Sequence, residues 1–463
     1  MDVLDLARLQ FATTSIYHFL FVPVTIGLSF LVALLHTAWF RSGDDRHRRL
    51  TRFFGTLLLI NIAVGVVTGL VQEFQFGMNW SDYSRFVGDV FGAPLAMEGL
   101  AAFFLESTFL GLWVFGWNVL PRRWHLATIW LVFLGATLSG AFIMAANSWM
   151  QHPVGYATNS QTGRPQLSSI GALFTNEVFV WGYLHVVLAS LVTGAMVMLS
   201  VSAWHLRRGR SVFKGPAVLS IVVLLPVTAA ALMVGSHLGV VEAKYQPMKI
   251  AAAEAQWTTC QPCSFSVFQV GGGNSDHTPT KIIEIPHLLS LLGTGTWNGK
   301  VQGLDELQSQ EVSKYGSGNY VPNVFVQYWS MRVMAYIGTL VSLVALWGAW
   351  LAYRRKLESS RVFLAVATWA VIAPFLMNTA GWMLTENGRQ PWLVQGLMKT
   401  ADGVSASVST TEVAISLIAF VLVYLALGVV EVFLLLRFAR REIEPEQPEA
   451  PADVAPRTPV LTY

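Results

Sequence analysis

Charged side chains are scarce in this sequence. Asp, Glu, Lys and Arg make up 12% of its 463 residues, whereas hydrophobic residues make up 54%. A soluble protein of this length would divide into several domains, and its charged fraction would be about twice as large. The apolar residues instead come in long blocks. These features exclude a set of soluble domains and indicate a helical membrane protein.

Nine of the apolar blocks are long enough to cross a membrane as helices. About 20 residues, rising 1.5 Å each, cross roughly 30 Å of hydrocarbon. The predicted spans are 13–39, 53–73, 93–117, 124–147, 176–204, 216–238, 326–351, 362–385 and 411–437. We therefore expect an all-α polytopic membrane protein. The sequence has no internal repeat, so it lacks the inverted-repeat pattern of many transporters.

Basic residues cluster between alternate spans. The clusters lie at 41–52, 122–123, 207–214, 354–361 and 437–457. Basic loops remain on the cytoplasmic side of a membrane, and the five clusters agree with one another. The N-terminus is therefore predicted to lie outside and the C-terminus in the cytoplasm.

This topology divides the chain into four regions. The regions are 1–238 with helices one to six, an extracytoplasmic loop at 239–325, 326–442 with helices seven to nine, and a cytoplasmic tail at 443–463. The loop is polar and rich in Gly and Ser, and short helices are predicted around 246–257 and 303–314. The tail is rich in Pro and Glu, which predicts disorder.

Ionisable residues inside the spans are candidates for function, because burying a charge in lipid is costly. Four side chains that can bind iron lie near the outer surface. His185 and Met334 each lie about 12 Å below the outer end of a span. His18 lies near the start of the first span, and Glu386 ends the eighth. A His and a Met at one depth suit a low-spin haem, although each residue could instead pair with a polar neighbour.

Six stretches of the sequence resemble subunit I of cytochrome bd quinol oxidase. They are LARLQFATTSIYHFLFVPVTIGL (6–28), GVVTGLVQEFQFGMNW (65–80), AANSWMQHPVGY (145–156), QPMKIAAAEA (246–255), YWSMRVM (328–334) and GWMLTENGRQPW (381–392). The resemblance runs in order through all nine predicted spans. It implies the haem-containing subunit of a terminal respiratory oxidase, which oxidises quinol and reduces dioxygen in the bacterial cytoplasmic membrane.

The resemblance also implies three haems. Two would be of b type, one low-spin and one high-spin, and the third would be of d type. His185 and Met334 would ligate the low-spin haem. His18 and Glu386 would each ligate one of the two high-spin haems, in an order that remains open.

Three further residues have implied roles around these haems. Trp382, one turn before Glu386, would lie between haems and assist electron transfer. Arg332 and Arg389 would pair with haem propionates, because the guanidinium fork matches carboxylate geometry. The alternative for the segment around Glu386 is an interfacial cap with a belt of Trp side chains.

The resemblance implies a quinol site in the outer loop, which matches the shorter of the family's two loop forms. Its candidate residues are Lys249 and Glu254, which lie roughly 140° apart on a helix and so would flank a ring. Without the resemblance, a solvated amphipathic helix would explain this segment better. Protons released here would leave to the outside.

Two carboxyl groups in the third span predict a path for protons from the cytoplasm. Glu106 lies about 12 Å deeper than Glu98, so bridging waters are needed, and Ser139 could help to order them. Both carboxyl groups could instead satisfy neighbouring helices. Proton release outside and uptake inside would generate a proton motive force without pumping.

Cys260 and Cys263 are the only cysteines, and they lie in the loop predicted to face the oxidising side. A structural disulfide is favoured, and it would close a very small loop. A redox switch that controls quinol access is an alternative. A zinc site is less favoured because partner ligands are missing.

The expected partners are a second large membrane subunit, small single-helix subunits, quinol, dioxygen and the lipid bilayer. No nucleic-acid partner is expected. Two other functions remain open: a b-type membrane cytochrome that relays electrons without reducing oxygen, and a proton-coupled secondary transporter. The transporter does not explain the common depth of His185 and Met334.

Overall fold

The computed structural model describes residues 2–443, and these residues form mainly helices. The α-helices are α1 (Val3–Phe19), α2 (Phe21–Ser42), α3 (Asp45–Met78), α4 (Ser81–Met97), α5 (Phe104–Phe115), α6 (Arg122–Gln151), α7 (Ile170–Phe174), α8 (Glu177–Leu206), α9 (Lys214–Tyr245), α10 (Pro247–Ala253), α11 (Leu288–Thr294), α12 (Leu304–Tyr315), α13 (Val324–Tyr353), α14 (Arg361–Trp369), α15 (Ile372–Gly388) and α16 (Thr410–Ala439). Short antiparallel hairpins join β1 (Tyr156–Thr158) to β2 (Pro165–Leu167), β3 (Phe265–Val270) to β4 (Thr280–Ile285), and β5 (Trp392–Val394) to β6 (Met398–Lys399).

The described residues contain nine helical stretches that are long and apolar enough to span a membrane. They are Val3–Ser42, Asp45–Met78, Ser81–Phe115, Arg122–Gln151, Glu177–Leu206, Ser211–Tyr245, Val324–Tyr353, Arg361–Gly388 and Thr410–Ala439. They coincide with the nine predicted spans and extend beyond most of their ends. The expected helical membrane architecture is therefore confirmed.

Two of these stretches are interrupted beside a proline. α1 ends at Phe19, and Pro23 lies near the start of α2. Proline has no N–H to donate to the carbonyl four residues earlier, which here is that of Phe19. Pro374 in α15 likewise cannot donate to Ala370, the residue that caps α14. Both breaks are therefore encoded locally.

The third stretch contains a wide turn. Residues Glu98–Phe103 form a π-helical turn between α4 and α5, and Pro94 lies inside α4 one turn earlier. A π-helical turn holds an extra residue, so it rotates the side chains that follow it relative to a regular helix. The faces occupied by Glu98 and Glu106 therefore do not follow from the usual 3.6-residue period.

The main apolar core lies where α2 and α8 pack against their neighbours. These two helices meet at a pair of glycines. A Cβ on Gly27 would lie 2.0 Å from the carbonyl oxygen of Ser190, and a Cβ on Gly194 would lie 2.2 Å from the carbonyl carbon of Gly27. Small residues at a crossing let backbones touch, and close packing holds helices together in lipid.

The loop at 239–325 contains more structure than its sequence predicts. α10 and α12 correspond to the short helices expected around 246–257 and 303–314, whereas α11 and the hairpin of β3 and β4 were not predicted. Cys260 and Cys263 form a disulfide with an S–S distance of 2.04 Å. The tail predicted to be disordered, 443–463, lies outside the described residues except for residue 443.

Candidate functional site

His18 lies at the end of α1, where its ring contacts Thr68 of α3. His18 Nδ1 is 3.0 Å from Thr68 Oγ1. The Thr68 hydroxyl donates its single proton to the carbonyls of Val64 and Gly65, each at 3.0 Å. When that proton is directed at a carbonyl, the hydroxyl accepts from His18 Nδ1–H, and the lone pair of a neutral ring then lies on Nε2. This is the tautomer that binds a metal through Nε2.

Glu386 lies in the last turn of α15, and each oxygen of its carboxylate has a partner. Asn147 Nδ2 donates to its Oε1 at 2.8 Å, and Arg389 pairs with its Oε2. Arg389 is buried, and its Nε and Nη1 have no hydrogen-bond partner among the described residues. Unpaired donors on a buried cation fit an additional anionic group. A carboxylate-bearing cofactor such as a haem therefore suits this position.

Trp382 connects the two predicted ligands His18 and Glu386. Its ring meets Phe19 edge to face, with centroids 4.9 Å apart. Phe19 follows His18 in the chain, and Trp382 precedes Glu386 by one helical turn. The contact therefore brings the end of α1 next to the C-terminal half of α15. Trp382 Nε1 is buried without a hydrogen-bond partner among the described residues.

His185 of α8 and Met334 of α13 each lie against a glycine on a neighbouring helix. A Cβ on Gly235 of α9 would lie 2.9 Å from His185 Cε1, and a Cβ on Gly381 of α15 would lie 3.2 Å from Met334 Sδ. Both α8 and α13 pack against α9 and α15. His185 thus contacts α9 and Met334 contacts α15, within a group of helices that pack against one another.

Glu98 and Glu106 both contact α6. Ser139 of α6 donates to Glu98 Oε1 at 2.6 Å. One turn along the same helix, a Cβ on Gly135 would lie 2.9 Å from the Glu106 backbone nitrogen and 3.0 Å from its Cβ. The π-helical turn and α6 therefore bring three of the predicted proton-path residues to one helix contact.

Lys249 of α10 is buried and has two partners. Its Nζ donates to Glu242 Oε2 of α9 at 2.7 Å and to Gln151 Oε1 of α6 at 2.5 Å. Burial lowers the pKa of Lys249, and the Glu242 carboxylate opposes that shift. The nearby carboxylate thus favours the ammonium form.

Glu254 follows α10 and pairs with Arg332 instead of Lys249. Arg332 donates from Nη2 to Oε2 at 2.7 Å and from Nη1 to Oε1 at 3.2 Å. Arg332 also donates to the carbonyls of Ala253, at 2.5 Å, and Ser266, at 2.6 Å, and its guanidinium lies 3.9 Å from the Tyr328 ring centroid. Burial raises the pKa of Glu254, and Arg332 opposes that shift. Glu254, Ala253 and Ser266, which accept these hydrogen bonds from Arg332, all lie in the loop at 239–325.

A cavity of about 220 Å³ lies beside the Glu254–Arg332 pair. Its walls include Phe268 of β3 and three aromatic residues of α13, Phe325, Tyr328 and Trp329. Tyr328 contacts both this cavity and Arg332. Aromatic walls next to a buried carboxylate suit a flat ring that loses protons.

Four polar residues of this region were not predicted: Thr68, Asn147, Gln151 and Glu242. Asn147 and Gln151 lie four residues apart on α6, and Gln151 Nε2 donates to Asn147 Oδ1 at 2.8 Å. The i, i+4 spacing of two amides was a visible signal in the AANSWMQHPVGY stretch. No motif or spacing in the sequence predicts the contact of Thr68 with His18 or that of Glu242 with Lys249.

The chain matches known proteins along most of its length. The family model described as cytochrome bd terminal oxidase subunit I matches residues 6–443. Cytochrome bd ubiquinol oxidase subunit 1 of Bacillus subtilis is 44% identical over 96% of this chain and 95% of that protein. Cytochrome bd-II ubiquinol oxidase subunit 1 of Escherichia coli is 38% identical over 97% of this chain and 99% of that protein. The bd oxidase structure from Geobacillus thermodenitrificans superposes with a TM-score of 0.85 at 28% identity, covering 95% of this chain and 98% of that chain.

Proposed function

The chain belongs to the cytochrome bd terminal oxidase subunit I family and is a haem-containing quinol oxidase subunit, and we propose that it oxidises quinol at the outer face and reduces dioxygen with cytoplasmic protons. The observation that carries this proposal is the contact of Phe19 with Trp382. It brings His18, with its free Nε2, to the helix that bears Glu386. Two potential iron ligands from distant parts of the chain thus share one end of the helix bundle.

The proposed cofactors are one low-spin b haem, one high-spin b haem and one d haem. His185 and Met334 would hold the low-spin haem, and the cradles formed at Gly235 and Gly381 support this role. His18 and Glu386 would each hold one of the high-spin haems. Bound haems would supply electron transfer from quinol and the binding and reduction of dioxygen.

Three residues would position these haems. The unpaired Nε and Nη1 of Arg389 suit a propionate. Arg332 would donate a hydrogen bond to another propionate from Nε, which is buried and has no hydrogen-bond partner among the described residues. Trp382 would pack between the haems of His18 and Glu386.

The quinol site would combine the aromatic cavity with Glu254 and Lys249. The Glu254 carboxylate would accept a proton from the ring, and the adjacent Arg332 would hold it in place. As an ammonium, Lys249 would donate a hydrogen bond to a quinol or quinone oxygen. Residues 239–325 would thus form the quinol-binding region.

The proposed proton path runs from Glu106 to Glu98, with Ser139 orienting the Glu98 carboxylate. The basic clusters support an outer N-terminus and a cytoplasmic C-terminus. Uptake from the cytoplasm and release at the outer loop would generate a proton motive force without pumping. Proton uptake from the outer side in oriented vesicles would contradict this direction.

The family's numbering as subunit 1 implies a second subunit. Apolar side chains on the third and ninth spans are largely exposed in this chain alone, among them Phe115, Leu422 and Phe433. Such faces require lipid or another apolar helix. We propose a large second membrane subunit, with small single-helix subunits, in the bacterial cytoplasmic membrane.

A reduced-minus-oxidised visible spectrum of the purified complex tests the proposed cofactors. A band far to the red, beside b-haem bands, is expected from the d haem. Bands of b haem alone would instead support the electron-relaying cytochrome, and a featureless spectrum would support a transporter. Replacing His18 or Glu386 by Ala should remove high-spin haem signals and keep the low-spin signal.

A further inference from the structure

We propose that Glu242 is a positioning residue of the quinol site and that, with Lys249, it sets the electron affinity of the centre held by Glu386. Gln151 and Asn147 would carry this coupling. The inference rests on the roles proposed above for Lys249 and Glu386. It comes from an unbroken series of hydrogen bonds that joins the two positions.

The series joins four helices, α9, α10, α6 and α15. Lys249 Nζ donates to Gln151 Oε1 at 2.5 Å, and Gln151 Nε2 donates to Asn147 Oδ1 at 2.8 Å. Asn147 Nδ2 then donates to Glu386 Oε1 at 2.8 Å. At the other end, Glu242 Oε2 accepts from Lys249 Nζ at 2.7 Å. Glu242, Lys249, Gln151 and Asn147 are all buried.

The charged ends determine the direction of every bond in this series. A Lys ammonium only donates, and a carboxylate only accepts. Gln151 and Asn147 must therefore both turn their carbonyl oxygens toward Lys249 and their NH₂ groups toward Glu386. Their dipoles align from the cation to the carboxylate, and aligned hydrogen bonds polarise one another in a buried, weakly screened setting.

Glu242 balances the positive end of this series. It lies on α9, seven residues before Lys249 in the chain. Among the described residues, its carboxylate is the only acidic partner of the Lys249 ammonium. With Glu242 charged, the ion pair is neutral overall. Without that charge, Lys249 would stabilise negative charge at Glu386 more strongly and would favour the reduced state of the centre there.

Charge-changing variants of the whole two-subunit complex test this coupling. Redox titration followed by visible spectra would report the midpoint potential of each haem. Glu242→Gln is expected to raise the potential of the haem held by Glu386, and Lys249→Met is expected to lower it. The double variant, which removes both charges, should return the potential close to the wild-type value.

The double variant also separates coupling from misfolding. A merely structural role for Glu242 would lower haem content in the single variants without moving potentials in opposite directions. Equal shifts of the same sign, or no shift with full haem content, would overturn the inference. Gln151→Leu should weaken the effect of Glu242→Gln, and an undiminished effect would show that the amide series does not carry it.

An exposed ion pair at the outer ends of α8 and α9 provides a matched control. Lys244 Nζ lies 2.9 Å from Glu177 Oε2, but these side chains are 58% and 49% exposed, so water screens them. Glu177→Gln should leave every potential unchanged. Glu386→Ala identifies which proposal fails. If this variant retains all haem signals, both the ligand assignment of Glu386 and the coupling are overturned. If it loses the haem held by Glu386 but Glu242→Gln shifts no potential, only the coupling is overturned.

Discussion

Ser139 Oγ lies 2.6 Å from Glu98 Oε1, across the contact between α6 and the π-helical turn of the third span. The hydroxyl is the one described side-chain donor to this carboxylate. The π-helical turn aims Glu98 at α6, and Gly135, one turn from Ser139, lets the backbone at Glu106 approach the same helix. Both residues of the proposed proton path therefore lie at the contact with α6.

Replacing Glu106 by Gln should slow oxygen reduction about 100-fold, because a relay that loses one proton-carrying group loses a general acid–base step. Oxygen consumption with excess quinol measures this, and the haem spectrum should remain that of the wild type. Ser139→Ala should cause a smaller loss, which Ser139→Thr should largely restore. Full activity in Glu106→Gln would exclude this path.

Replacing Thr68 by Val should weaken haem binding at His18 about tenfold, because the hydrogen bond that fixes the His18 tautomer disappears. The haem content of the purified complex, measured by pyridine haemochrome, reports this loss. Thr68→Ser keeps the hydroxyl and should retain the haem. Equal haem content in the Val and Ser variants would show that His18 does not depend on this contact.

Replacing Met334 by Leu should remove one axial ligand of the low-spin haem while conserving side-chain volume. The low-spin bands should shift or disappear, and the high-spin bands should stay. Met377→Leu is the matched control, because a Cβ on Gly338 would lie 3.4 Å from Met377 Sδ across the same two helices, α13 and α15. Unchanged low-spin bands in Met334→Leu would reject this ligand.

Replacing Glu254 by Gln should leave Arg332 as an unpaired buried cation and lower the free energy of unfolding by about 3 kcal/mol. Thermal unfolding of the complex measures this change. Quinol oxidation should be lost, whereas chemical reduction of the haems by dithionite should persist. Quinol turnover at the wild-type rate would exclude Glu254 as a proton acceptor.

The raised pKa of Glu254 also predicts a pH dependence. Only the carboxylate accepts a proton, so quinol oxidation should fall as the pH drops through this pKa, at a higher pH than for an ordinary Glu. The exposed Glu177 provides the control, because Glu177→Gln should keep the wild-type pH profile. A profile that stays flat down to the ordinary Glu range would contradict this role.

Much of the architecture could be predicted because each segment that crosses the lipid must be mainly apolar and about 20 residues long. The length and apolarity of every span follow from its own residues. The breaks before Pro23 and Pro374 were not predicted, although their cause is local. The loop at 239–325 was also harder to predict. The hairpin there forms because β3 pairs with β4 within a long polar segment. The composition of that segment does not indicate which residues form strands.

The candidate site was predicted only in part for a similar reason. Local motifs pointed to Lys249, Glu254 and Glu386, but not to Glu242, Gln151 and Asn147, which contact Lys249 and Glu386. Arg332 was expected beside a propionate, and its described partner is Glu254. Such pairings join residues far apart in sequence, so spacing along the chain does not reveal them.

The sequence by itself determined that this chain is a helical membrane protein with nine spans, because hydrophobic length and charge act segment by segment. It also singled out the rare polar groups within these spans as candidates for function. Only the tertiary structure decided that Thr68 holds His18, that Glu242 pairs with Lys249, and that two amides of α6 join Lys249 to Glu386. The physical reason is that hydrogen bonds act over about 3 Å, and only packing brings groups from distant helices that close.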